Sequence, residues 1–298
     1  MIKVYYIKYR GKIWGKILIT GASGNVGQYV AKYALQNGDN VIVAARNIEK
    51  LTLLFGQEVN KVKFDFADTT TFEPALENVD RVFLMRPPYM GDYHDLIPFI
   101  EAVKQHHIKL ICFLSLMGIE HNPIPPHYKI EKEIKHLHIP YSFIRPSFFM
   151  QNISGVHALE IKNFNRIIVP VGNVLTSFID TEDIGKFSAR ILHEPMNFQN
   201  TAYEITGPEA IGYNKVAKIM SEELHRSIIY PKLNSRVVQR YWTEIRGLDK
   251  KYVKVMGMLY FMTRRGLAKR TSSTYYQVMG EEPTNFRQFV KKHLRSWQ

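Results

Sequence analysis

The sequence predicts an α/β fold, in which a doubly wound parallel sheet is joined to a smaller C-terminal α+β lobe. In the first half of the chain, apolar strand candidates alternate with amphipathic helix candidates, and the first strand runs into a glycine-rich turn. Beyond residue 150, short strand candidates and amphipathic segments predict the lobe. Hydrophobic residues make up 45% of the 298 positions, enough for one large core or two modest ones.

The first strand and turn read KILITGASGNVG, from Lys16 to Gly27. Gly21 allows a tight reversal, Gly24 lets backbone N–H groups approach a pyrophosphate, and Gly27 lets the following helix, Gln28 to Asn37, pack against the strand. The N–H groups and the positive helix end would hold the anion, although a turn without ligand is the alternative. The spacing G-x-x-G-x-x-G is typical of the extended and atypical short-chain dehydrogenase/reductases.

The end of the second strand indicates which dinucleotide binds. Val41 to Ala45 is apolar and ends at Arg46, with Asn47 and Lys50 nearby. NAD-selective folds carry an Asp or Glu at this strand end, where it binds the ribose 2′-hydroxyl. An arginine suits a 2′-phosphate instead, so NADP(H) is favoured over NAD(H). A surface arginine without ligand is the alternative.

The remaining strands of the sheet are expected at Val62 to Asp65, Arg81 to Met85, Leu110 to Ser115 and Pro140 to Arg145, with helices at Tyr93 to His106 and His127 to Leu137. Ligands of such sheets bind at the carboxyl ends of the strands, and we expect Asp65 and Phe66 beside an adenine. The predicted cofactor-binding residues are Gly21, Ser23, Gly24, Asn25, Val26, Gly27, Arg46, Asp65, Phe66, Met85, Arg86, Pro87, Ser115, His127, Pro146 and Phe149.

Three parts of the chain are distinguished. Residues 1–15 are expected to be an extension, disordered or not native, because a nucleotide-binding strand usually begins near the start of its domain. Residues 16–150 form the dinucleotide-binding domain, to which 177–212 partly return. Residues 151–176 and 213–298 form the substrate or partner lobe, in which the stripe from Phe286 to Trp297 is core packing.

The cysteine content, the length of the apolar runs and the spacing of the histidines bear on where the protein is found and on what it binds. Cys112 is the only cysteine, so no internal disulfide can form and a cytoplasmic setting is expected. The apolar runs are shorter than the roughly 18 residues of a membrane span, and we expect no membrane partner. The pairs His106-His107 and His136/His138 lack a third ligand at a usable spacing, so no metal site is expected.

The net charge of +13 is unevenly distributed. From Arg236 onward there are fourteen Lys/Arg and four Asp/Glu, and Met1 to Lys16 holds five basic residues and no acid. The rest carries 21 basic and 23 acidic residues, a net of −2. A basic lobe can meet nucleic acid or an acidic partner. A solvated face is favoured, since no nucleic-acid-binding signature is present.

Several motifs together resemble the NmrA-like atypical short-chain dehydrogenase/reductases. They are ITGASGNVG, the Arg46 strand end, HYKIEKEIKHLHIPYSFIRPSFFMQN, FIDTEDIG, YEITGPEAIGYNKVAKIMSEEL and EEPTNFRQFVKKH, and they extend from Lys16 to the C-terminus. The resemblance implies a Rossmann-type domain with a small C-terminal lobe. It also implies one of two functions, an NADPH-dependent quinone or dye reductase or a non-catalytic NAD(P) sensor that regulates a partner protein.

The segment from Tyr128 to Lys132 matches the superfamily's catalytic Y-x-x-x-K, with Ser115 thirteen residues before the tyrosine. In that mechanism the tyrosine donates a proton, the lysine lowers its pKa and the serine holds the substrate oxygen. Helical spacing argues against it, because Ile130, Ile134 and Leu137 define the buried stripe and place Tyr128 and Lys132 roughly opposite.

The resemblance suggests a different register, in which His127 takes the place of the superfamily lysine and Pro123 lies near that of its tyrosine. His127 would orient the nicotinamide ribose or supply a proton, at a pKa suited to neutral pH. Glu131, one turn on, would orient His127. The alternative is a polar helix start with an i,i+4 contact.

The sequence therefore predicts an NADP(H)-binding protein, most simply an NADPH-dependent reductase of a quinone-like or small carbonyl acceptor. The alternative is a sensor that signals to a protein partner through its basic lobe. Either a monomer or a homodimer is compatible with the sequence.

Overall fold

The computed structural model describes residues 15–88 and 90–298, which form two compact units. The first unit comprises the chain up to Pro146 together with Thr181–Glu204. The second comprises Ser147–Asp180 and Ile205–Gln298.

The first unit carries a seven-stranded sheet of order β3-β2-β1-β4-β5-β6-β9. Pairings from β3 across to β6 are parallel, as expected for a doubly wound sheet. Its elements are β1 Lys16–Thr20, α1 Gly27–Gln36, β2 Val41–Ala45, α2 Ile48–Phe55, β3 Asn60–Lys63, α3 Phe72–Leu76, β4 Val79–Met85, α4 Ile97–Gln105, β5 Leu110–Leu114, α5 Pro126–His136, β6 Tyr141–Pro146, α8 Thr181–His193 and β9 Thr201–Ile205.

Local sequence explains where the helices of this unit begin. The Asn47 side chain accepts a hydrogen bond from the Lys50 N–H at 2.6 Å and so starts α2, while Pro126 occupies the first turn of α5. Helix α1 has no side-chain cap and starts directly from the glycine turn. It packs on α8, where Gly185 lies against Tyr29 so closely that an added Cβ would stand 2.3 Å from the tyrosine Cβ.

The strand predictions agree with the structure closely at β2 and less well at β3. We expected β3 at Val62 to Asp65, whereas it spans Asn60–Lys63, because the chain pairs Ile42 with Asn60 and Ala45 with Lys63. Gly15 was assigned to the extension, yet its N–H donates to Asp80 Oδ2 at 2.8 Å and it belongs to the fold. The rest of that expectation, residues 1–14, lies outside the described part of the chain.

The second unit contains a three-stranded sheet of order β10-β8-β7 with helices around an aromatic core. Its elements are β7 Phe148–Phe149, α6 Gln151–Ser154, α7 Ala158–Phe164, β8 Leu175–Ile179, β10 Ala210–Gly212, α9 Tyr213–Leu224, α10 Ser235–Arg240, α11 Lys250–Arg264, α12 Thr274–Met279 and α13 Phe286–Lys292. Asp249 caps α11, and α13 begins with a capping box of Asn285 and Gln288. Within residues 15–88 and 90–298, no helix is both long and apolar enough to cross a bilayer.

Candidate functional site

The glycine turn forms a cradle of backbone groups after β1. Gly21 has φ +61°, and the Gly24 N–H donates to the Gly21 carbonyl at 2.9 Å. A Cβ on Gly27 would lie 2.3 Å from the same carbonyl oxygen, so the close approach excludes any side chain there. The first α-helical bond runs from the Gln28 N–H to the Gly24 carbonyl at 3.3 Å.

The N–H groups of Asn25, Val26 and Gly27 precede that first bond and have no helical carbonyl to reach. Asn25 is exposed and Ser23 is half-buried, so solvent and ligands can reach this side of the turn. A row of such N–H groups at the positive end of a helix suits a phosphate group. The turn residues predicted from the sequence therefore come together as an anion cradle.

Arg46 follows β2 directly and lies near the turn, because the Ala22 N–H donates to the Ala44 carbonyl at 3.3 Å. The Arg46 side chain is exposed. Lys63, paired with Ala45 across the β2–β3 ladder, is a second exposed cation at this edge. Lys63 was missed because β3 was placed two residues too late; the corrected register identifies it.

Phe66 does not present its ring to a ligand. Its side chain is 6% exposed and packs edge-on against Phe64 and Phe99, with ring centroids 4.7 and 5.4 Å away. The prediction that Phe66 flanks an adenine is therefore wrong for its side chain. The Asp65 carboxylate accepts from the Ala67 N–H at 3.1 Å, which shapes the loop after β3.

The end of β4 carries Met85, Arg86 and Pro87. The Met85 side chain packs toward Gly21, where an added Cβ would lie 2.8 Å from its Cγ and Sδ. The Arg86 guanidinium donates to the carbonyls of Pro87 and Met90, and burial lowers its pKa. Among the described residues, no hydrogen-bond partner reaches Arg86 Nε.

Glu131 is part of a buried network at the carboxyl ends of β5 and β6. Ser115 Oγ donates to Glu131 Oε1 at 2.6 Å, and Arg145 donates to both carboxylate oxygens, from Nε at 3.0 Å and from Nη2 at 2.6 Å. Arg145 also contacts Glu120 Oε2 at 2.9 Å. Burial opposes the charge of Arg145, but hydrogen bonding to Glu131 raises its pKa overall.

This network corrects two predictions. Glu131 does not orient His127, because its carboxylate is engaged by Ser115 and Arg145. Ser115 is 1% exposed and its hydroxyl donates to Glu131, so that proton is not directed toward a substrate oxygen. Arg145 and Glu120 were missed, and the signal available was an arginine inside the otherwise apolar strand YSFIRP, which needs a buried acid.

His127 lies in the first turn of α5, with its ring stacked on Phe113 at a centroid distance of 5.9 Å. Burial, followed by the nearby charge of Arg86, lowers the pKa of His127 from 6.5 to about 3. Its Nδ1 has no hydrogen-bond partner among the described residues. The prediction of a pKa suited to neutral pH is therefore wrong: at neutral pH the ring is uncharged and can donate one N–H.

Tyr128 and Lys132 lie away from the buried stripe of α5, which consists of His127, Ile130, Glu131 and Ile134. Lys132 is exposed, and its ammonium lies over the Tyr128 ring, 4.9 Å from the centroid. Packing on a ring face gives the lysine a surface role here.

The last two predicted cofactor residues are Pro146 and Phe149. Pro146 ends β6 and accepts from the Met117 N–H at 3.2 Å. Phe149 lies in β7 of the second unit, paired with Ile179. That unit has a buried histidine of its own, His157, which is hydrogen-bonded to the Tyr260 hydroxyl and whose pKa burial and Arg246 lower to about 3. The described residues hold no group of three or more His, Cys, Asp or Glu side chains placed to bind a metal ion.

Comparison with solved structures identifies proteins of the same fold. An NADPH-dependent quinone oxidoreductase from Escherichia coli, solved with NADPH, superposes with a TM-score of 0.84 at 21% identity, covering 94% of this chain and 99% of that one. The triphenylmethane reductase of a Citrobacter species, complexed with NADP(H), gives 0.83 at 20% identity, covering 93% and 99%.

Sequence relatives extend along nearly the whole chain. Prestalk A differentiation protein A of Dictyostelium discoideum is 29% identical over 280 residues, 93% of this chain and 91% of that protein. The uncharacterised oxidoreductase YesF of Bacillus subtilis is also 29% identical, over 283 residues that cover 94% and 96%. The model of the NmrA-like family matches residues 14–275. The chain therefore belongs to the NmrA-like family.

Proposed function

We propose that the protein binds NADP(H) at the glycine turn and reduces a quinone-like or small carbonyl acceptor. The observation that carries the proposal is the backbone cradle after β1, with Arg46 exposed at the adjacent strand end. The cradle suits a pyrophosphate because Gly27 leaves no room for a side chain and three N–H groups precede the first helical bond. Arg46 suits a 2′-phosphate, and Lys63 adds a second positive charge.

The names of similar proteins support the same class. A protein from Xenophilus azovorans that is 25% identical over 287 residues is an NAD(P)H azoreductase, and the two structural neighbours described above were solved with NADPH or NADP(H). Azo compounds, quinones and triphenylmethane dyes are all conjugated electron acceptors. This common chemistry favours a conjugated acceptor for the present chain as well.

The residues near the strand ends suggest how the reaction proceeds. When bound, NADPH supplies a hydride from its nicotinamide ring. His127 is uncharged at neutral pH, so it can hold an acceptor oxygen through an N–H but has no imidazolium proton to give. A quinone that accepts hydride becomes a stabilised hydroquinone anion, which takes its proton from water. Neutral His127 is only a weak acid, so the site suits a quinone, whose reduced anion is stabilised, better than an isolated ketone, whose reduced anion is not.

The same residues also favour a second candidate function, an NADP(H) sensor that turns nothing over. Ser115 and Arg145 both donate to Glu131, and His127 is uncharged. A protein that uses a dinucleotide only as a signal needs the cradle but no proton donor. Binding alone does not separate the two candidates.

The experiment that separates them is NADPH oxidation by the purified protein against a panel of soluble quinones, with an aldehyde and an azo dye added. We expect turnover with at least one quinone, and retained turnover in the Tyr128→Phe variant as the matched control. Tight NADPH binding with no turnover on any acceptor would favour the sensor. Absence of NADPH binding would contradict both candidates.

A further inference from the structure

Helix α11, in the second unit, has a buried face and an exposed apolar face. Val253, Met256, Tyr260 and Thr263 are buried in the core of that unit. On the outside, apolar side chains stay in contact with solvent: Tyr252 is 41% exposed, Val255 43%, Met258 44%, Leu259 43% and Phe261 53%, and Leu267, just beyond the helix, is 60% exposed. A surface helix normally carries polar residues on this side.

The exposed face of α11 is also positively charged. Lys250, Lys251, Lys254, Arg264 and Arg265 are all exposed, and Lys269 and Arg270 follow. From Lys250 to Gly280 the chain has seven Lys/Arg and no Asp or Glu. Tyr252, Val255 and Leu259 recur at spacings of three and four, and Lys251 and Lys254 lie beside them at a spacing of three, so apolar and basic side chains run side by side along the helix.

We propose that this face of α11, with the segment up to Arg270, docks on a membrane surface that contains anionic lipid. Apolar side chains of such a helix enter the boundary between headgroups and acyl chains, while lysine and arginine side chains reach the lipid phosphates. Tyr252 supplies an aromatic ring that favours this boundary. The surface belongs to the second unit and the glycine turn to the first, and the proposal does not depend on the proposed function.

The combination of positive charge and exposed apolar side chains favours an anionic lipid surface over other partners. A second copy of the chain would bring the seven basic residues against seven more, which is repulsive. A nucleic acid would use the basic side chains but leave the apolar side chains in water. An anionic lipid surface engages both. The sequence-based expectation of no membrane partner rested on the length of the apolar runs, which bears on spanning a bilayer and not on lying against one.

The test is co-sedimentation of the full chain with vesicles of phosphatidylcholine, with and without phosphatidylserine. We expect binding only to the anionic vesicles, and weaker binding as salt is raised. The triple variant Lys251→Gln, Lys254→Gln and Arg265→Gln should bind about a hundredfold more weakly, since each basic residue near such a surface contributes roughly fivefold. A matched control removes three exposed lysines elsewhere, Lys104→Gln, Lys162→Gln and Lys218→Gln, and should bind as the unaltered protein does.

A second variant separates lipid from a simple polyanion. Val255→Ser with Leu259→Ser should reduce vesicle binding roughly tenfold while leaving thermal unfolding nearly unchanged, because both side chains are already 43% exposed. Equal binding to neutral and anionic vesicles, or none to either, would overturn the proposal. So would a charge effect without an effect of the apolar variant, which would indicate a nucleic-acid or polyanion site. Sedimentation velocity that shows the apolar variant breaking a dimer would instead assign the face to a second copy.

Discussion

Two strand-end regions of the first unit use their polar groups in opposite ways. At the ends of β1 and β2, backbone N–H groups precede the first bond of α1 and Arg46 extends into solvent. At the ends of β5 and β6, Ser115 and Arg145 both donate to Glu131, and all three residues are buried. The first region presents backbone N–H groups and a positive charge that suit an anion, whereas the polar side chains of the second region are bonded within it.

The difference shows that a match to a sequence motif does not by itself mean that the matching side chains form a site in the folded protein. Ser115, Tyr128 and Lys132 match a catalytic signature in order and spacing, yet Ser115 is bonded to Glu131 and Lys132 packs on the Tyr128 ring. The glycine turn carries no chemically reactive side chain. It is nevertheless the part of the chain whose geometry points most directly to a ligand.

The largest expected effect comes from removing the charge of Glu131 from its buried network with Ser115 and Arg145. Glu131→Gln keeps the shape but removes the charge opposite Arg145. We expect a loss of about 3 kcal/mol in the free energy of unfolding, the low end for breaking a buried ion pair, since Glu120 still contacts Arg145. Urea unfolding measures it. Glu133→Gln, on the same helix and half-buried, should change stability by less than about 0.5 kcal/mol. An unchanged stability with lost turnover would instead place Glu131 in the chemistry.

The next largest effect is expected when a side chain is added at Gly27, in the backbone cradle after β1. In Gly27→Ala the new Cβ would lie 2.3 Å from the backbone oxygen of Gly21, so the turn must move, at a cost of about 2 kcal/mol. NADPH should bind at least roughly tenfold more weakly. The control is Gly91→Ala, where a Cβ meets nothing within 4 Å. Full NADPH affinity in the Gly27 variant would show that the cradle is not the binding site.

Per pH unit, a smaller effect is expected from acid, through the two buried histidines. The pKa values of His127 and His157 are about 3 in the folded protein, below the ordinary 6.5, so the unfolded state binds more protons between those values. Their contribution to stability is complete above pH 6.5 and is lost as pH falls toward 3, by about 1.4 kcal/mol per pH unit for each histidine.

Thermal unfolding across this range measures the slope. His157→Gln should make the acid limb shallower by one such increment, while His136→Gln, which removes an exposed histidine, should leave it unchanged. A wild-type slope retained in the His157 variant would mean that this histidine is already charged in the fold.

The smallest effect is expected from Tyr128→Phe. Because Lys132 packs on the ring of Tyr128 at the surface, kcat/KM for NADPH-dependent reduction should change by less than about twofold. Steady-state kinetics measure it, with Lys132→Met alongside. A fall of about a hundredfold or more in both variants would reinstate the catalytic pair, since general acid catalysis contributes at least that much.

The sequence was most informative where backbone geometry dictates residue type. Gly21, Gly24 and Gly27 are required by the turn itself, and the apolar run Val41–Ala45 matches β2 residue for residue. It was less informative at β3, whose burial is partial, so its edges depend on pairing with β2 rather than on its own pattern.

Side-chain roles were harder to predict, because they depend on contacts between residues that are far apart in the sequence. Nothing local in the sequence links Glu131 to Arg145 and Ser115, fourteen and sixteen residues away. The uncharged state of His127 likewise depends on burial and on Arg86, which is brought close only by the fold. Short elements such as β7 and β10 were also missed, because two or three residues carry no periodicity.

The central claim is that the cradle and Arg46 together hold NADP(H), and calorimetric titration with NADPH and NADH tests it most directly. We predict tighter binding of NADPH than of NADH. Arg46→Ala should weaken NADPH by roughly tenfold to a hundredfold and leave NADH unchanged, because a charge-assisted contact contributes about 1.5–3 kcal/mol. Lys50→Ala, a neighbouring exposed cation, is the control. Equal losses for both dinucleotides, or no binding of either, would contradict the account.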